Sequence, residues 1–544
     1  MNAPTLKKQC LFFAVMLINL AFTAQSKYNH LDSLKGTYSA ARSWWDVRHY
    51  DLHVDFNARD SSVSGFNVIR YLVLESKSVM QIDLLEPLKI DSIVQNGKLL
   101  EYRKDGPAYF LNLKEAQIKN SRQNIVVYYH GKPKVAVNPP WDGGIVWKKD
   151  TNKKPWVSVA CQGMAARVWF PNKDHMADEA DSADMYFSCQ NDLICVSNGR
   201  LVGVNQWHGK LQYHWQVVNP INNYNIIPYI GDYANIQDTL KGKAGILPIN
   251  YWVLSGNYEK AKVHFKQVKS MLRCFEDWFG PYPFYEDGYK LVEAPYLGME
   301  HQSATAYGNN YGNGYLGRDL SRTGWGLIWD FIIVHESGHE WFGNNISAKD
   351  VADDWIHESF TAYSENLYVE YLFGKAAGAE YVIGTRQSIM NNEKIIGDYD
   401  VNNGSSGDLY YKGANLLHTI RQLCNNDSVW KAMLQGLNQT FWHQTVSSKQ
   451  IENYMSTFLK MDLSKVFDQY LRETKVPVFE YYFKKDQLYY RWNVCIKDFN
   501  MPLKVKIGEQ TELLQVTDRW LKMKVNSNEL NVDVNFYVFS KKIK

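Results

Sequence analysis

The segment His335-Glu336-Ser337-Gly338-His339, followed nineteen residues later by Glu358, decides how the rest of this chain is read. On a helix His335 and His339 lie one turn apart and leave the same face. That pair suits two corners of a tetrahedral zinc ion, with Glu336 beside it to take a proton from a water on the metal. A catalytic zinc keeps three protein ligands and one open position, and Glu358 is the candidate third ligand. It lies in Trp355-Ile356-His357-Glu358-Ser359-Phe360-Thr361-Ala362-Tyr363, which reads as the start of a second helix. Asp353 and Asp354 just before it suit an N-cap or a first turn.

Upstream, Trp325 to Val334 is strongly apolar, and helical spacing puts Ile328 and Ile332 on the face of the two histidines. Two histidines and a glutamate turned inward from a buried helix need a compensating partner, and one cation serves all three. Glu365 follows Glu358 by seven residues and shares its helical face. There it either hydrogen-bonds the outer nitrogen of a ligand histidine or faces solvent.

A chain of 544 residues is too long for one domain and fits three or four. Its 45% hydrophobic and 22% charged residues describe an ordinary soluble globular protein. The many aromatics, 18 Trp, 36 Tyr and 24 Phe, suit sheet surfaces and a peptide- or carbohydrate-facing cleft alike. Net charge is only +3, with no basic patch that calls for nucleic acid or an anionic membrane. Lys7-Lys8, the apolar run Leu11 to Ala24 and the small-residue site Ala24-Gln25-Ser26 read as a cleaved signal peptide over residues 1–26. The expectation is an exported protein, periplasmic or secreted, with no membrane span in the mature chain. The six remaining cysteines are spaced too irregularly for a metal knuckle. Cys189 and Cys195 flank a polar turn and could bridge in an oxidising compartment; unpaired buried thiols are the expected state.

Alternating, β-branched runs such as Gly65-Phe66-Asn67-Val68-Ile69-Arg70-Tyr71-Leu72-Val73-Leu74 dominate from Tyr50 to about Asn235. The period turns helical at Tyr258, where Ala261, Phe265, Val268, Leu272 and Phe275 form one stripe, and stays so to about Leu471. After Pro477 short alternating strands return, as in Tyr489-Tyr490-Arg491-Trp492-Asn493-Val494. The fold class is α+β and multidomain. Residues 27–252 make an N-terminal β domain, 253–472 an α-rich metal domain and 473–544 a small β domain.

With these residues in view, the chain resembles the gluzincin aminopeptidases, the family of aminopeptidase N and the leukotriene hydrolase. Four motifs carry the resemblance. They are Gly298-Met299-Glu300-His301, the zinc segment with Trp341-Phe342-Gly343-Asn344, Trp355-x-x-Glu358, and Tyr410-Tyr411-Lys412-Gly413-Ala414. The resemblance implies a saddle-like N-terminal β domain, a thermolysin-like catalytic domain, a C-terminal β-sandwich and one zinc ion per chain. It implies a metallo-aminopeptidase that takes peptides with a free N-terminus and releases their first residue.

It also implies roles. Glu300 would bind the substrate's α-ammonium, which makes the enzyme an exopeptidase, since an internal residue offers no cation to pair with it. Gly298 and Met299 would hydrogen-bond the substrate backbone, and Gln162, in Cys161-Gln162-Gly163, would be a second amine-binding side chain. Tyr410, set by its spacing to Lys412-Gly413, would donate to the developing oxyanion. Two departures stand out. Many relatives have Asn where this chain has His301, which leaves backbone recognition open. Larger relatives also carry a long helical C-terminal domain, so a more open site is expected here. The rival readings are a zinc epoxide hydrolase like the leukotriene branch and a non-catalytic exported peptide-binding protein on the same scaffold.

Overall fold

The alternating N-terminal sequence forms a mixed eight-stranded sheet in which Trp45–Asn57 and Ser62–Val73 pair antiparallel, Val54 opposite Gly65. Every second residue of the first strand, from Tyr50 through Leu52 and Val54 to Phe56, is buried, as a one-faced sheet requires. Ser182–Cys189 joins the other side of this strand in parallel. A four-stranded sheet built around Pro155–Ala160 packs over the same core, which centres on Trp44, Trp45, Phe56, Trp169 and Phe187. This computed structural model describes residues 28–403 and 406–544. The expected signal peptide lies outside the described residues.

Ten helices are present among the described residues. Helix α1 is His30–Gly36; α2 (Tyr258–His264) and α3 (Gln267–Phe279) open the helical region; α4 is Phe331–Gly338 and α5 Trp355–Phe373. Helices α6 (Lys375–Gly384), α7 (Tyr411–Cys424), α8 (Asp427–Thr440), α9 (Ser448–Leu459) and α10 (Ser464–Leu471) follow. The stripe Ala261, Phe265, Val268, Leu272 and Phe275 is buried along α2 and α3. A five-stranded sheet lies against them in the order Tyr233–Gly242, Gly245–Leu254, Tyr289–Glu293, Thr305–Tyr307, Gly298–Met299. The hairpin 233–254 alternates like the N-terminal strands, yet its second strand pairs in parallel with Tyr289–Glu293. Pairing across a long sequence separation places it in this sheet, so the boundary at residue 252 falls inside one sheet.

After Pro477 a four-stranded sheet (strands Val478–Lys484, Gln487–Asn493, Leu521–Lys524 and Phe539–Lys542) faces a three-stranded one built on Leu503–Ile507. Their core residues Phe479, Trp492, Phe499 and Met501 are continuous with the helical core. Fold class is thus α+β, with an N-terminal β-rich region, a central helical region and C-terminal strands. All six described cysteines are free, four of them buried, Cys189 and Cys195 among these. No helix among the described residues is long and apolar enough to cross a membrane.

Candidate active site

Asp330 starts the zinc-motif helix. Its carboxylate accepts from the amides of Ile332 (3.0 Å) and Ile333 (3.3 Å), so α4 begins at Phe331. This differs from the reading of a continuous helical face from Trp325: Ile328 precedes the cap and is half-exposed, whereas Ile332 is buried. His339 closes α4 in still-helical geometry, so the two imidazoles remain one turn apart, ring centroids 5.0 Å from each other. Of the two places read for the acids before α5, a cap or a first turn, neither acid makes a side-chain cap there, and Asp354 takes first-turn geometry. Asp354 already has helical φ and ψ (−59°, −15°) and its side chain makes no capping bond. A capping residue needs extended backbone. Asp353 instead accepts from the Ser448 amide (2.9 Å) and the Tyr399 hydroxyl (2.9 Å).

Between the helices His335, His339 and Glu358 converge, with one ligand atom from each lying within 4.8 Å of the others. Nε2 of His335 and Nε2 of His339 each stand 3.5 Å from the same oxygen, Oε2 of Glu358. Ligand atoms held about 2.0–2.1 Å from a tetrahedral zinc are separated by about 3.4 Å, so both histidine–glutamate separations suit that ion. Glu358 Oε2 is buried and has no hydrogen-bond partner, an orphaned acceptor that a cation would satisfy. The outer nitrogens are occupied. His335 Nδ1 is 2.8 Å from Glu365 Oε1, and His339 Nδ1 is 3.0 Å from the Phe342 carbonyl. The Tyr381 hydroxyl in turn donates to Glu365 Oε2 at 2.8 Å. Of the two readings open to Glu365, solvent-facing or supporting a histidine, the structure has the second; it is fully buried.

Glu336, Glu300 and His339 form a second convergent group within 4.8 Å. Burial, reinforced by Glu300 and Glu358 and opposed by His335, pushes the Glu336 carboxyl up to about 7. Gly298 lies directly against it: a Cβ there would fall 2.7 Å from Glu336 Oε1, so a bare backbone is needed at this approach. The strand Gly298–Met299 is the edge of its sheet, paired only with Thr305–Tyr307. Glu300 is buried and accepts from the Tyr224 hydroxyl at 3.0 Å. Its neighbour His301 turns away to Tyr229, Nδ1 to hydroxyl 2.7 Å, and burial lowers its pKa to about 3. Tyr410 immediately precedes α7, its ring centroid 5.9 Å from that of His335. Gly413 lets α7 touch α5, since a Cβ there would meet Ser359 Oγ at 1.7 Å. Burial and the carboxylates of Glu358, Glu300 and Glu336 push the Tyr410 phenol well above its ordinary value, which keeps it a proton donor.

Gln162 lines a cavity that also touches Tyr224, Glu358 and Tyr410. The same cavity is walled by residues that no motif announced: Lys35 and Gly36 of α1, Asp174, Asp354 and Asn402. Helix α1 reaches this place because Asn402 N donates to Asp32 O (3.0 Å) and Thr37 Oγ1 to Asp400 O (3.1 Å). Lys35 Nζ then donates to Gly163 O at 2.8 Å. Helix α1 thus forms one wall of this cavity.

The family described as Peptidase family M1 domain matches residues 263–470. The chain is 22% identical to a leucyl aminopeptidase of Saccharolobus solfataricus over 79% of its own length and 54% of that protein. It is 23% identical to endoplasmic reticulum aminopeptidase 1 of Mus musculus, over 56% of this chain and 33% of that one. It is 22% identical to leukotriene A-4 hydrolase of Xenopus laevis, over 76% of this chain and 68% of that one. The chain thus spans about half or less of the length of the first two. In fold it is similar to an M1 zinc metallopeptidase from Deinococcus radiodurans, with a TM-score of 0.69 at 20% identity, covering 81% of this chain and 96% of that one. That family match falls on the helical region that carries the two histidines and Glu358.

Proposed function

We propose that this chain is a zinc aminopeptidase that removes single residues from the free N-termini of peptides. His335, His339 and Glu358 would hold the ion. Zinc, when bound there, supplies Lewis acidity to the scissile carbonyl and lowers the pKa of a water. Glu336 takes the proton of the attacking water and returns it to the leaving amine; a carboxyl of pKa near 7 suits both transfers. Tyr410 donates to the carbonyl oxygen as negative charge develops on it. The open edge of Gly298–Met299 pairs with the extended substrate backbone. Glu300, held by Tyr224, receives the α-ammonium, with Gln162 as a second polar contact.

The observation that carries this reading is the place of Glu300. It is a buried carboxylate beside the general base and a metal ligand, where a substrate cation can pair with it. A free N-terminus brings that cation next to the first peptide bond. Export is part of the proposal and rests on the leader-like residues 1–26. Hydrolysis of an aminoacyl chromogenic anilide, abolished by a zinc chelator and restored by zinc, is the expected result. A zinc-loaded protein that turns over no such substrate would overturn the proposal.

A further inference from the structure

The cavity beside the metal site has a volume of about 240 Å³ and is bounded near the reacting atoms by Gln162, Tyr224, Glu358 and Tyr410. Neither Glu336 nor Gly298 lines it. On the aminopeptidase reading, on which this inference rests, the substrate's first α-carbon sits between an ammonium at Glu300 and Gln162 and a carbonyl at Tyr410. The side chain it bears then enters this cavity, on the side away from Glu336.

The charged groups of the wall are unequal. Asp174 is buried beside Arg167, whose Nε lies 3.3 Å from it, and Lys35 adds a second positive charge there. Neither Asp174 oxygen has a hydrogen-bond partner, so this wall also keeps unused acceptors. Asp350 spends its oxygens on the amides of Ala352 (2.9 Å) and Asp400 (3.0 Å), and Lys349 is exposed. Asp354 has no such arrangement. One of its oxygens is buried without a partner, and no cation pairs with it among the described residues. Burial acts on it most, and the leading charges that reinforce burial are those of Glu358, Asp350, Asp353 and Glu300, all carboxylates. A carboxylate in that setting is stabilised by a cation brought from outside. Asp354 also stands one helical turn before Glu358, so a group pairing with it lies about 5–6 Å along α5 from the metal ligand, within reach of a long side chain.

We propose that the cavity receives the first side chain of the substrate and that Asp354 selects a cationic one, arginine or lysine, at that position. The test measures kcat/KM for anilides of Arg, Lys, Leu, Ala and Glu with the zinc-loaded full chain. Arg and Lys should exceed Leu and Ala roughly tenfold or more, and Asp354→Asn should cut the Arg-to-Leu ratio by roughly 10- to 100-fold, with Asp354→Glu restoring much of it. A wild type that favours Leu, Ala or Glu, or an unchanged ratio in Asp354→Asn, overturns the assignment. If no anilide is cleaved, the aminopeptidase reading itself has failed. Calorimetric binding of L-arginine against L-leucine by the wild type then decides the pocket separately, as it does if Asp354→Asn fails to fold. Tighter arginine binding supports the assignment, and equal or weaker binding removes it.

Discussion

The Tyr224 hydroxyl donates to Glu300 Oε1 across 3.0 Å, joining the N-terminal β region to the catalytic region at the point where a substrate's N-terminus would sit. The hydrogen bond aims one carboxylate oxygen, so Tyr224→Phe should loosen the amine anchor while leaving the metal site whole. A hydrogen bond to a charged group is worth about 1.5–3 kcal/mol, hence a fall of roughly 10- to 100-fold in kcat/KM. Steady-state kinetics with zinc content measured in parallel check this; an unchanged kcat/KM would show that Tyr224 does not orient Glu300.

Glu300→Ala removes the anchor itself. A loss of roughly 2–4 kcal/mol of transition-state stabilisation is expected, about 30- to 1000-fold in kcat/KM, with zinc still bound. The wild type should also reject N-acetylated peptides, which would leave Glu300 buried and unpaired. Similar rates on acetylated and free peptides would replace the exopeptidase reading with an endopeptidase one.

Glu336→Gln keeps the shape against Gly298 but takes away the proton acceptor. General-base catalysis contributes roughly 10²–10⁴ in rate, so kcat should fall at least that far at near-stoichiometric zinc. An active, zinc-loaded Gln variant would sink the assignment.

Glu365 supports His335 at 2.8 Å, and Glu365→Ala should weaken zinc binding by roughly 10- to 100-fold without touching the ligands. Competition with a fluorescent chelator measures it. Glu365→Gln, whose one amide oxygen can still accept from His335, should lose less; equal losses in the two variants would point to packing and not to the hydrogen bond.

Acid should strip the metal. In the metal-free protein burial opposes protonation of His335, but hydrogen bonds to Glu358 and Glu365 dominate and raise its pKa well above the ordinary histidine value. Zinc needs the neutral imidazole, so protons compete with it over a range that starts higher than for a free histidine, and affinity falls as pH falls. Zinc retained after dialysis at about pH 8 and lost at about pH 5, with a lowered Tm in the stripped protein, is the expected outcome. Full retention at the lower pH would contradict it.

The sequence by itself determined what depends on short, regular spacing. Five residues placed two imidazoles on one helical turn, Glu358 followed on the next helix, and Glu365 shared its face because both repeats are set by the pitch of an α-helix. Alternation along Gly65–Leu74 showed a β-strand for the same kind of reason. The tertiary structure alone decided what depends on distant segments meeting. Tyr224 and Glu300 are 76 positions apart, and α1 reaches the cavity through Asn402, far along the chain. The edge position of Gly298–Met299, the turn of His301 toward Tyr229 and the unpaired carboxylate of Asp354 all follow from which elements pack together. Asp354 was legible as a helix-start acid because that is a local preference. Its isolation from any cation was not, because a charge's partners are set by the fold around it and leave no period in the sequence.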